Sequence, residues 1–314
     1  MHQSGIDSSR TTDRDVFAPL TTFMGVPHPG NISDASAAVL GIPFDCGVHP
    51  DRIGSRQGPL AIRQQSRLVR PFLPDHDAPN PIETLGLIDV GDVALVPGDV
   101  TNAQQQIESA MSALLSANVT PVTMGGDGAI ALPQMRALHQ AYPDLVTLHI
   151  DSHTDAYPDP GYTTATSFSR AAEEGVVDAS KSFHVGIRGS TYRPRAIAAT
   201  QEYGYTVITT DELFGAGIRQ TIKDVRTRIG SRPTYLCFDM DFYDPSCAPG
   251  VCTPTWGGPT AREGFALIRE LQGMNIVSVD VNTVSPPHDV GGMTALLAAT
   301  TMFEFLCLLA NQSK

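Results

Sequence analysis

The chain has 314 residues, a net charge of −12, and 41 % hydrophobic against 17 % charged residues. That balance describes a soluble globular protein with a large core. It argues against nucleic acid or an anionic membrane as partner, and no apolar run is long enough to cross a bilayer without interruption. The five cysteines, an odd number with no regular framework, point to reduced thiols in a cytoplasmic protein. Cys247 and Cys252 lie in a Pro/Gly-rich loop with no second pair beside them, so they read as ordinary thiols rather than metal ligands.

Residues 1–34 are rich in Ser, Asp, Pro and Gly and read as an N-terminal arm, followed by one domain over 35–314. From there short apolar strands alternate with segments of helical period. Strands are expected at 37–44, within 84–93, and at 119–125, 145–151, 182–189, 206–209, 234–241 and 276–281. Helices are expected at 58–69, 102–118, 129–142, 167–175, 218–229, 261–274 and 293–311. The last is apolar but broken by Glu304, which suits a buried helix. Such alternation predicts an α/β protein: three layers, α/β/α, around a parallel sheet covered on both faces. Ligands in such folds bind beyond the carboxyl ends of the strands.

The unusual residues fall at those ends. Asp151, His153 and Asp155 follow one strand at alternate positions, and Asp239 and Asp241 end another. On a strand this spacing aims side chains to one side. Four carboxylates and an imidazole so gathered repel one another unless a cation or protons intervene. Oxygen donors with imidazole suit Mn, Fe, Ni or Zn, and two bridging carboxylates could hold two ions roughly 3.5–4 Å apart. Any one of these Asp residues alone would read as a turn or helix cap.

With "DVGDV", "GGD", "HIDSHTDAY", "FSRAAEEG", "VGIRG", "FDMDFYDPSCAPGVCTPTWGG" and "SPPHDVGGMTALLAA" in this order, the chain resembles the ureohydrolases, the family of arginase and agmatinase, from about residue 35 onward. The resemblance implies an arginase-like fold with a roughly eight-stranded parallel sheet, trimers or hexamers, and in active members a dinuclear Mn or Ni centre. That centre activates a water that attacks a guanidinium carbon and releases urea. It also implies that Asp151, His153, Asp155, Asp239 and Asp241 match five of six metal ligands.

Three positions depart from the pattern. Gly128 stands where the family has the sixth ligand, a His. Thr164 replaces a His that serves as proton shuttle or substrate contact, and a hydroxyl does not titrate near neutral pH. Thr283 replaces a Glu that pairs with the guanidinium, and a neutral hydroxyl forms no charge-assisted clamp. One ion at most is expected, held by Asp151, His153, Asp239 and Asp241, or none.

The expectation is therefore a subunit non-catalytic or weakly active alone. It would partner an intact paralogue in a hetero-hexamer that hydrolyses a guanidine or biguanide, an arrangement resembling the nickel-dependent, two-subunit metformin hydrolases. The alternatives are an active agmatinase- or guanidinobutyrase-like amidinohydrolase with a remodelled, mononuclear site, and a ligand-binding or regulatory module. His288 is a candidate substituting ligand or substrate contact, and His49 and Asp51 could reach the pocket. Arg56, Arg63 and Arg188 read as braces before substrate contacts. Trp256 is placed near the pocket mouth.

Overall fold

The computed structural model describes residues 21–312 apart from 30, 48, 75–78 and 97; the first twenty residues of the expected arm lie outside the described residues. Runs of β-branched and other apolar residues form eight strands: β1 (Ala37–Ile42), β2 (Ile88–Asp92), β3 (Thr120–Gly125), β4 (Val146–Ile150), β5 (Phe183–Ile187), β6 (Thr206–Thr209), β7 (Thr234–Asp239) and β8 (Ile276–Asn282). They pair in parallel in the order β2-β1-β3-β8-β7-β4-β5-β6. The central strands β1, β4, β5, β7 and β8 are buried along their whole length, which is why they carry no polar–apolar alternation.

Ten helices cover the sheet: α1 (Gly58–Ser66), α2 (Pro81–Leu85), α3 (Val100–Ser116), α4 (Ala131–Ala141), α5 (Ser167–Glu174), α6 (Ala196–Glu202), α7 (Thr210–Ala216), α8 (Ile218–Ile229), α9 (Ala261–Glu270) and α10 (Met293–Gln312). Helices α1, α8, α9 and α10 pack on one face and α3, α4 and α5 on the other, around two separate apolar clusters. The expected three-layer α/β/α architecture is therefore the one observed. Helix α10 is long and apolar enough to span a membrane by length and composition, yet most of it is buried in the protein. Its buried Glu304 pairs with Arg269 at 2.6 Å.

Within the described part of the expected arm, Phe23 is fully buried, and its amide donates to Asp89 Oδ2 at 2.8 Å. The same carboxylate receives Arg63, whose guanidinium is bidentate on Asp89 at 2.8 Å for both contacts. Arg63 is thus a brace between α1 and β2. The backbone at Gly126, just after β3, passes so close to the segment after β1 that a Cβ there would lie 2.0 Å from Phe44 O. Only glycine allows that approach, and it sets Asp127 against Cys46.

Candidate functional site

The metal-type residues gather at the carboxyl ends of β3, β4, β7 and β8, though not by strand alternation. β4 ends at Ile150, so Asp151, His153 and Asp155 lie in the bend beyond it, where Asp155 has φ 47°. β7 ends at Asp239, and Asp241 sits in a 3-10 turn over Met240–Phe242. Each bend is shaped by an aspartate that accepts from a backbone N–H two residues on: His153 N to Asp151 Oδ1 at 2.6 Å, and Asp241 N to Asp239 Oδ1 at 2.7 Å. Short polar side chains favour such turns. They deliver the next side chain to the same pocket that an extended strand would have reached.

His153 Nδ1 lies 3.0 Å from Asp241 Oδ2 and 3.5 Å from Asp151 Oδ1. Donor atoms of Asp151, His153 and Asp241 fall within 4.8 Å of one another, and so do those of His149, Asp151 and Asp155. Asp239 lines the same cavity, but its Oδ1 also accepts the Thr283 hydroxyl in a very short contact. Ser152 supports Asp241, its Oγ donating to Asp241 Oδ1 at 2.7 Å, and Thr255 Oγ1 lies 3.2 Å from His153 Nε2. Behind the bend, His149 stacks on Phe168 with ring centroids 4.1 Å apart, and its Nδ1 meets His184 Nδ1 at 2.9 Å.

The electrostatics are those of a crowded anionic pocket. Burial and then the Asp241 and Asp151 charges hold the Asp239 carboxyl well above the usual carboxylate range. Burial and the Asp151 charge raise Asp155 well above it, and the same two causes raise Asp241. Burial opposes charge on His153, but Asp241 and Asp151 outweigh it and lift the imidazole well above its ordinary value. Asp151 moves the other way: against its burial, His149 and His153 pull it well below. Nearby Asp127 is pushed up by burial to about 6.

Asp151 Oδ2 is buried and makes no well-formed hydrogen bond, although His149 Nε2 is 2.8 Å away. A buried carboxylate oxygen in that state, beside a raised carboxyl and an imidazole, suits a divalent cation held by Asp151, His153 and Asp241 with Asp239 adjacent. The other half of the cluster is poorer in donors. Gly128 faces Asp155 and Thr164, and a Cβ there would lie 2.8 Å from Thr164 Cγ2 and 3.0 Å from Asp155 Oδ2. The methyl of Thr164 thus occupies the ground that a side chain at 128 would need.

A cavity of about 300 Å³ opens over these groups, and Asp45, His49, Asp127, Thr164 and Thr283 contribute to its wall. His49 therefore reaches the pocket, as the sequence allowed. Asp51 and His288 do not line it. The backbone carbonyl of Asp51 meets His288 Nε2 at 3.3 Å, and His288 Nδ1 meets Ser285 Oγ at 2.9 Å. His288 is a latch on a surface loop, which corrects the expectation of a substituting ligand: the 3-10 turn Pro286–His288 holds it outside the cavity wall.

Arg188 donates to the backbone carbonyls of Asp241, Tyr243 and Thr255, bracing the loop beside the cluster. Arg56 is exposed. Trp256 is 72 % exposed and lines a neighbouring cavity rather than this one. Cys247 and Cys252 are free, as are the other three cysteines.

His149, Ser152 and Thr255 were not singled out from the sequence. His149 was legible, since it continues the alternation of Asp151, His153 and Asp155 one step back. Thr255 carried no signal, because it comes from a loop distant in the chain.

Comparison with known proteins agrees with this architecture. Residues 35–308 match the model of the Arginase family. A guanidinopropionase of Pseudomonas aeruginosa is 38 % identical over 95 % of this chain and 94 % of its own, and a guanidinobutyrase of the same organism is 33 % identical over 93 % of each. The solved structure of proclavaminate amidino hydrolase from Streptomyces clavuligerus superposes with a TM-score of 0.89 at 34 % identity, covering 94 % of this chain and 98 % of that one.

Proposed function

The chain belongs to the arginase family, and from that premise we propose that it is an amidinohydrolase subunit acting on a guanidino or biguanide compound from a remodelled, one-cation site. The observation that carries this is the retained half-site: Asp151, His153 and Asp241 with donors within 4.8 Å of one another, facing a cavity of about 300 Å³. Its relatives act on guanidino acids by name, among them guanidinopropionase and guanidinobutyrase. The donor set suits Mn or Ni.

Asp151, His153 and Asp241 would hold a divalent cation, which would supply a Lewis acid for activating water. The chain's own residues do the rest. Thr255 beside His153 Nε2 fixes the ring orientation, with Nδ1 toward the carboxylates. Ser152 fixes the Asp241 carboxylate. His49 on the cavity wall supplies an imidazole that could carry a proton where Thr164 cannot. From a guanidino compound the products are urea and an amine; from a biguanide, urea release leaves a guanidine.

A second reading, in which the chain is a non-catalytic member of a mixed hexamer with an intact paralogue, draws on a specific observation. The Thr283 hydroxyl is already committed to Asp239, while Gly128 and Thr164 bring no titratable group. Metal-loaded protein, assayed for urea release from 3-guanidinopropionate, agmatine and a biguanide, separates the two. Turnover by the pure chain with one ion bound supports the first. Silence alone, with turnover gained by adding a co-purifying paralogue, replaces it with the second.

A further inference from the structure

We propose that the half of the carboxylate cluster formed by Asp155 takes an organic cation of the guanidinium class rather than a second metal ion. The proposal rests on the amidinohydrolase reading and names where the substrate's charge is held.

Asp155 is only 6 % exposed and lines the cavity. Its backbone is pinned in a left-handed bend, with its carbonyl accepting from Phe168 N at 2.9 Å. Among the described residues, no hydrogen bond or ion pair reaches its carboxylate. Next to it, the buried Asp151 Oδ2 also lacks a well-formed hydrogen bond. Asp151 has His153 N and His149 beside it, so Asp155 is the buried carboxylate of the pair that lacks a donor among the described residues, which is costly unless a cation or a proton joins it.

A transition metal would draw little else from the facing wall, which here is Gly128 and the Thr164 side chain. The imidazole within reach of Asp155 is that of His149, which is already engaged with Asp151 and His184. Thr283, on the same wall, brings no charge and spends its hydroxyl on Asp239. Asp155 is a cavity-lining carboxylate left free to hold a cation. A guanidinium is planar and presents paired N–H donors that match one carboxylate. It is more weakly hydrated than an ammonium and packs well on aromatic walls. Tyr157 lines the cavity, and Tyr192, 88 % exposed, stands at its rim.

The test is calorimetric titration of the metal-loaded full chain with propylguanidine and with its neutral isostere propylurea, alongside metal analysis. Propylguanidine is expected to bind at least about tenfold more tightly, as a charge-assisted bidentate pair requires. Asp155→Asn should erase that preference while the ion content per chain stays the same. Equal affinity of the two compounds for the wild-type chain overturns the proposal without any variant. So does an Asp155→Asn chain that keeps the preference or loses a metal ion. Because the readout is binding, a chain that releases no urea would fail the amidinohydrolase reading and leave this result to be judged separately.

Discussion

Ser152 does not line the cavity over the cluster, yet its hydroxyl and its amide both hold Asp241 Oδ1, at 2.7 and 3.1 Å. Groups that orient a ligand in this way typically account for about 10–100-fold in metal affinity. Ser152→Ala should therefore weaken Mn or Ni binding by about that factor in a chelator competition, with little change in fold. His153→Ala removes a donor outright and should leave the purified chain without bound metal by elemental analysis, since Asp151 and Asp241 alone make a poor site for these ions. Thr283 carries a β-branched side chain at φ 67°, a conformation such residues rarely adopt. Its hydroxyl on Asp239 is what the bend achieves. Thr283→Val should free Asp239 Oδ1 of that contact, and the measurable result is a change in metal affinity with urea-releasing specificity unaltered.

At the scale of elements, the sheet was legible because buried parallel strands write themselves as apolar runs, and all eight were anticipated within a few residues. The exact route of the ligands was not. Alternation in "DSHTD" and "DMD" suggested extended strands, but aspartate side chains capture the backbone N–H two residues on and turn the chain first. Helices α2, α6 and α7 were missed for a different reason: each is seven residues or fewer, too short for a periodic pattern. α7 still announced itself through Thr209 and Glu212, a capping pair visible in "TTDE". His288 misled because a histidine near a ligand-rich segment is indistinguishable in sequence from one facing the surface. The buried joint between α1 and β2 offers a separate test. Arg63 is bidentate on Asp89, which also receives Phe23 N. Asp89→Ala should destabilise the chain by about 1–3 kcal/mol in urea denaturation, because it removes the bidentate partner of a buried guanidinium and leaves it Asp92 and the Gly91 carbonyl.

For the molecule as a whole, the carboxylates and cations of the pocket couple stability to pH and to metal. Asp239, Asp241, Asp155 and His153 all hold protons more tightly when folded. At these four groups the folded, metal-free chain therefore binds more protons than the unfolded chain, and their contribution to stability is lost as pH rises above the ordinary carboxylate value of 3.8; Asp151, held low, works the opposite way but only as pH falls below that value. A bound ion must displace those protons, so metal affinity climbs over the same interval, by up to about tenfold per pH unit for each proton released. The gap between the melting temperatures of metal-loaded and metal-free protein should widen from pH 5 toward pH 8 by roughly the linkage of ligand to folding. A gap that narrows would mean the ion is held elsewhere. The contact between Gly128 and Thr164 has a consequence for substitution. Because a Cβ at 128 would press on the Thr164 methyl at 2.8 Å, a single substitution that places a histidine there meets a steric barrier. A further ligand could be added from that loop only if position 164 yielded first, so the two positions must change together.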